Sequence, residues 1–132
     1  MKNFEVELIP IEYFYPTYEL WCSGHKFPRL WIENIEESFV CFMNKEPIYN
    51  VFFWSTKSKI CVLGFPVSNP SISYKEREGG LEYLIDKVSQ YAKEKGFSLM
   101  WTTSATERVI ESLNKTGFKL GDTNINQYSK VL

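Results

Sequence analysis

Eight consecutive residues, Ile60-Cys61-Val62-Leu63-Gly64-Phe65-Pro66-Val67, carry no charge. A strand this apolar has no face to offer to water, so it belongs inside a sheet that is covered on both sides. The rest of the chain must supply the neighbouring strands and two covering layers. Gly64 and Pro66 interrupt the run, and such residues within a strand mark a bulge or the end of regular pairing.

Those elements are legible on either side. Phe4, Val6 and Leu8 alternate with Glu5 and Glu7, which predicts a half-buried strand ended by Pro10. Ile11, Phe14, Tyr15, Tyr18, Trp21 and Cys22 follow at helical spacing, with Pro16 imposing a kink or the start of a second helix, and Gly24 and Pro28 mark a loop. After an ambiguous stretch from Leu30 to Glu37, the runs Ser38 to Met43 and Ile48 to Ser55 join Ile60 to Val67 in a meander. The polar turns Asn44-Lys45-Glu46-Pro47 and Thr56-Lys57-Ser58-Lys59 separate them. Leu81, Leu84, Ile85, Val88, Tyr91 and Ala92 make a clean helical stripe closed by Gly96. Phe97 to Thr102 reads as a strand. Ser104-Ala105-Thr106-Glu107 reads as a capping box opening a helix with Val109, Ile110 and Leu113 inside and Gly117 at its end. Phe118 to Leu120 and roughly Gln127 to Val131 predict a closing hairpin. The expected fold is α/β (α+β): one domain over 1–132, with a mixed, mostly antiparallel twisted sheet of six to seven strands and helices on both faces.

Composition narrows the function classes. Fifteen Lys+Arg against sixteen Asp+Glu leave a net charge of -1, which is not the footprint of a protein held on nucleic acid by phosphate contacts. No apolar run approaches the roughly 20 residues that span a bilayer, so no membrane partner is expected, and the alternating N-terminus MKNFEVELIP is unlike a secretion signal. Three cysteines without a CxxC spacing, beside a single histidine, fit a reducing, cytoplasmic location and no metal site.

From Ile60 onward the order is a long apolar strand ending Val67-Ser68-Asn69-Pro70, an amphipathic helix, a strand, and then Asn114-Lys115-Thr116-Gly117-Phe118. This resembles the GNAT superfamily of N-acyltransferases, whose K-x-G-F signature follows its last major helix, and the likeness of element order covers the whole chain. The ending, Asp122-Thr123-Asn124 to Tyr128-Ser129-Lys130, is similar to that of divergent phage-encoded members. The resemblance implies acylation of an amine by direct attack on the thioester of acetyl-CoA.

Three parts of a site would then be needed. The family cradles the CoA pyrophosphate on backbone N–H groups at a helix N-terminus, with Arg or Gln, then Gly three residues on, then Gly or Ala two further. Arg77-Glu78-Gly79-Gly80-Leu81-Glu82 matches, except that Glu82 stands where a small residue belongs and sets a negative charge near a polyanion. Ser73-Tyr74-Lys75-Glu76 is itself a capping box, so a helix could instead start at Ser73, with Gly79 and Gly80 inside it to permit close packing on the sheet. The pantetheine arm would lie along Phe65 to Val67, where Pro66 offers no N–H and the N–H of Val67 would serve.

The family's catalytic groups are missing. Leu113 occupies the position of the tyrosine acid, Thr106 and Val109 those of the helix-opening asparagine and the alanine after it, and Gly64 lies where many members have a glutamate base. Substitutes are Tyr128 as acid and Glu33 or Glu36 as base, while His25 is either a base on the acceptor side or an ordinary loop residue. Fourteen of the twenty-two aromatics lie in residues 1–54, as core or as surface for a partner. Two functions follow as expectations. One is an atypical N-acetyltransferase acting on a small molecule or a protein. The other is a catalytically silent binding module of the same fold, such as a phage accessory protein that contacts a host factor. Hydrophobic edge strands leave a homodimer open.

Overall fold

A computed structural model describes residues 1–104 and 106–132. Strands β1 (Phe4–Leu8), β2 (Glu37–Met43), β3 (Glu46–Ser55), β4 (Ile60–Ser68) and β5 (Leu99–Trp101) form one sheet in the order β1-β2-β3-β4-β5. The first four are antiparallel to their neighbours, and β5 runs parallel to β4. The helices are α1 (Ile11–His25), α2 (Tyr74–Arg77), α3 (Gly80–Glu94) and α4 (Glu107–Lys115), with a single 3-10 turn at Ile32–Asn34. No described helix is long and apolar enough to cross a membrane.

The period-two rule of a strand distributes the two cores. Phe39, Cys41, Val51 and Phe53 meet Leu81, Leu84, Ile85 and Val88 of α3 on one face. Val40 and Phe52 meet Phe14, Tyr18, Trp21 and Cys22 of α1 on the other. Strand β4 serves both faces, as its apolar run demanded. Cys61 and Leu63 join the α3 side and Val67 joins the α1 side, although all three are odd-numbered. The change of face is a bulge: Phe52 pairs with Gly64 and Asn50 with Val67, so three steps on β4 oppose two on β3. Phe65, at φ 54°, is the residue that turns.

Several expectations need correction. No second helix starts at Pro16, since α1 runs through it, and α1 includes Gly24, ending where Lys26 adopts the left-handed conformation and its N–H reaches the carbonyls of Cys22 and Ser23. Asn44 and Lys45, at φ 50° and 70°, make a two-residue turn, so β3 starts at Glu46 rather than Ile48. α4 starts at Glu107 behind Thr106, and Ser104 Oγ accepts from the Thr106 N–H (3.2 Å) instead of capping the helix. Ala105, the second residue of that expected capping box, lies outside the described residues.

The sheet has five strands, not six to seven, because the closing hairpin does not form. Phe118 packs on the core beside α3 and α4, but Leu120, Ile125, Tyr128 and Val131 stay exposed. β5, the edge strand next to β4, is three residues long, and the polar segment Gly121-Asp122-Thr123-Asn124 gives no apolar face to bury.

Candidate functional site

After β4 the chain turns on Asn69, whose Oδ1 accepts from the Ser71 N–H (2.9 Å) and whose Nδ2 donates to the Pro47 carbonyl (3.0 Å). Ser73 then caps α2 as its sequence predicts, with Ser73 Oγ accepting from the Glu76 N–H (3.2 Å) and Glu76 Oε1 accepting from the Ser73 N–H (3.3 Å). The helix nevertheless stops at Arg77. Glu78 is extended, and Gly79 takes φ 90°, a conformation that side-chain-bearing residues avoid. Arg77 pins this break from inside: its Nε donates to the Ile72 carbonyl (2.9 Å), and its guanidinium lies 5.1 Å from the centre of the Tyr49 ring. Gly80 opens α3 directly against Ile48 and Tyr49 of β3.

Each alternative drawn from the sequence thus holds in part. The capping box is real and Gly80 serves close packing, but Gly79 is not helical, and a new helix N-terminus begins here. Its first internal bond runs from the Tyr83 N–H to the Gly79 carbonyl (3.1 Å). The N–H groups of Gly79, Gly80, Leu81 and Glu82 have no acceptor among the described residues. Together with the helix dipole, they form a setting suited to phosphate oxygens. Lys2, which the sequence did not flag, brings an ammonium to the same break by donating to the carbonyls of Lys75 (3.0 Å) and Glu78 (3.2 Å). Glu82 opposes it from the first turn of α3, with Lys115 Nζ 4.0 Å away as a partial counter-charge.

The second part of the site is an unpaired edge. β5 pairs only with Ile60, Cys61 and Val62, so beyond Val62 one side of β4 has no neighbouring strand. The Asn69 N–H bonds the Ile48 carbonyl on β3 (2.9 Å), and in an antiparallel pair alternate residues direct their backbone groups to alternate sides. Val67 therefore faces β3, so its N–H is turned away from the edge where a cofactor arm was expected. Ser68 faces the open edge, and His25 already meets it there, with Nε2 2.9 Å from the Ser68 carbonyl. Phe65 is half exposed, its ring edge-on to Trp54 at 5.9 Å.

Below this edge, Leu63, Pro66, Leu81, Ile85, Thr102, Val109 and Leu113 close on a cavity of about 10 Å³, at the threshold for one water. α4 is tied over the seam by Arg108, whose guanidinium lies 3.7 Å from the Tyr74 ring centre, and by Lys115, whose Nζ is 4.0 Å from Glu82 of α3. The residues present fit the pyrophosphate end of CoA. A pantetheine arm would have to part α4 from α3.

Among the described residues, none of the catalytic substitutes bonds or pairs with the residues of this place. Tyr128 is 88% exposed in a segment without regular structure, and Glu33 is exposed in the 3-10 turn. Glu36 accepts hydrogen bonds from the Ser55 N–H and hydroxyl at the β3–β4 hairpin end of the sheet. Leu113 is half-buried beside α3. Burial pushes the Cys41 thiol up to about 12 and raises those of Cys22 and Cys61, so none of the three offers a thiolate for a covalent acyl step. Among the described residues no cluster of His, Cys, Asp and Glu could hold a metal ion.

No family model and no curated protein matches the sequence. Solved structures do match, along nearly the whole chain. An aminoglycoside acetyltransferase from an uncultured soil metagenomic sample, in complex with sisomicin, superposes with a TM-score of 0.74 at 13% identity, covering 97% of this chain and 96% of that one. The ribosomal-protein-S18-alanine N-acetyltransferase from Escherichia coli gives 0.71 at 14%, covering 91% and 80%. The aminoglycoside acetyltransferase AAC(6')-Iy, bound to the bisubstrate analogue CoA-S-monomethyl-acetylneamine, gives 0.68 at 16%, covering 98% and 99%.

Proposed function

We propose that this chain, whose fold is the GNAT fold of those acetyltransferases, is an acetyl-CoA-dependent N-acetyltransferase that acylates an amine of a small molecule or a protein. The observation that carries the proposal is the break at Glu78 and Gly79, which starts a new helix with four N–H groups lacking an acceptor among the described residues, in the segment that follows the bulged strand β4. Acetyl-CoA, when bound, supplies an activated acetyl thioester. The chain's own part is to bind and place it. The α3 N-terminus and Lys2 take the diphosphate, and the unpaired edge of β4 between Leu63 and Pro66 takes the arm once α4 gives way. Glu82 works against affinity, since a carboxylate and a phosphate near contact repel by about 1 kcal/mol even in water.

Isothermal titration with acetyl-CoA at low salt tests this. Micromolar binding is expected, tightened about fivefold by Glu82→Gln and weakened by Gly79→Ala. No heat at millimolar acetyl-CoA from folded protein would overturn it. A second reading, a binding module without catalysis, draws its support from the filled seam between α3 and α4, and that negative result is the one it expects.

A further inference from the structure

We infer that the imidazole of His25, through Nδ1, is the proton acceptor for the amine that this protein acetylates. The role depends on the acetyl transfer proposed above. It rests on where the ring sits and on which nitrogen is committed. Nε2 lies 2.9 Å from the Ser68 carbonyl oxygen, which can only accept, so Nε2 carries the hydrogen. The neutral ring then holds its lone pair on Nδ1, which has no partner among the described residues. Ser68 Oγ is 3.0 Å from the same Nε2, but that nitrogen has no lone pair to take a proton from it. The pair is therefore not a serine nucleophile with its base. Ser68 orients the ring through its backbone, and the free nitrogen is left for another molecule.

The surroundings fit that use. Phe27 stacks on the ring, 5.0 Å between centres and 16° between planes, which fixes its tilt while the imidazole stays half-buried. The bond to Ser68 places His25 on the unpaired edge of β4, just past the bulge, where a substrate can approach without displacing a strand. α1 carries two carboxylates, Glu12 in its first turn and Glu19, and Glu19 is paired with Arg29 at 3.1 Å, while Lys26 follows His25 directly. Among the described residues no carboxylate bonds or pairs with His25. Glu36 is engaged elsewhere, by the Ser55 N–H and hydroxyl at the β3–β4 hairpin end.

The step balances simply. The substrate ammonium gives one proton to Nδ1, which passes it to water. The freed amine lone pair forms the N–C bond as the C–S bond breaks, and the second amine proton ends on sulfur as CoA thiol.

His25 is the sole histidine of the sequence, so tag-free protein labelled with ¹⁵N-histidine reports on it without assignment. Long-range ¹H–¹⁵N correlation should show the neutral ring protonated at Nε2, and diethyl pyrocarbonate should modify the ring at a rate near that of N-acetylhistidine. A neutral ring protonated at Nδ1, or one inert to the reagent, overturns the inference whatever the activity. His25→Gln keeps a donor for the Ser68 carbonyl and removes the base. It should leave acetyl-CoA affinity unchanged and lower kcat for phenethylamine at pH 7 by at least about 100-fold, with the loss shrinking as pH rises and the amine arrives neutral. A loss below tenfold overturns the inference. If wild-type protein fails to bind acetyl-CoA, the proposed function itself has failed. If it binds but does not turn over this amine, the tautomer and the modification rate decide.

Discussion

At Gly80 an added Cβ would lie 2.6 Å from Ile48 Cδ1 and 3.2 Å from Tyr49 Cε2, both on buried side chains. At Gly79 it would find room, 3.5 Å from Phe4 Cε2, but on a backbone at φ 90°. The two adjacent glycines are thus needed for different reasons. Gly80→Ala is expected to cost about 1–3 kcal/mol by overpacking. Gly79→Ala is expected to cost about 1–2 kcal/mol through its left-handed backbone. Urea unfolding of each variant measures this, and a cost near zero for Gly80→Ala would show that Ile48 and Tyr49 can give way. The glycine pair stood out in the sequence, but the division of labour did not, because it is set by side chains of β3 some thirty residues earlier. Ser68 and Lys2 went unnoticed for a related reason. Their parts come from a backbone carbonyl facing an open edge and from the approach of the N-terminus to α2, and neither leaves a residue pattern.

The docking of α3 on the sheet makes the next prediction. Tyr91 packs edge-on to Phe39 (5.0 Å) and Phe53 (5.6 Å), and its hydroxyl donates to Glu37 Oε2 of β2 (2.7 Å). Burial first, and then the Glu37 carboxylate, raise this hydroxyl from 10.0 to about 12, and burial raises Cys41 of the same core from 9.0 to about 12. Both groups hold their protons more tightly folded than unfolded, so the stability they lend is complete below pH 9 and lost as pH rises to 12. The urea midpoint should fall between pH 8 and pH 11, and Tyr91→Phe should reduce the fall. A flat profile would mean that neither group is protected. At this scale the sequence was informative wherever an element buries its own stripe, as α3 and the meander do. It failed at the closing hairpin, because a strand exists only beside a partner edge and β5 offers three residues.

The whole molecule is a sheet between two cores, one built on α1 and one on α3, with β4 shared through its bulge. The last residues belong to neither core, with Leu120 at 81% and Val131 at 98% exposure. Removing residues 121–132 should therefore leave the thermal midpoint unchanged, and a fall of more than a few degrees would mean that the tail covers the sheet in solution. The two-sided covering and the order of elements followed from one uncharged run and the periodicities around it. The candidate site followed only in part, since an atom-level cradle and a committed histidine nitrogen depend on how α1, β4 and α3 meet. The central claim is that the α3 N-terminus holds the CoA diphosphate. Its most direct test is an amide ¹H–¹⁵N titration with acetyl-CoA. The account predicts saturable shifts greatest at Gly79, Gly80, Leu81 and Glu82, with Ser68 and α4 following as the seam opens. Shifts confined to the hollow at Lys57, Lys59 and Lys95 on the other end of the sheet, or none at all, would contradict it.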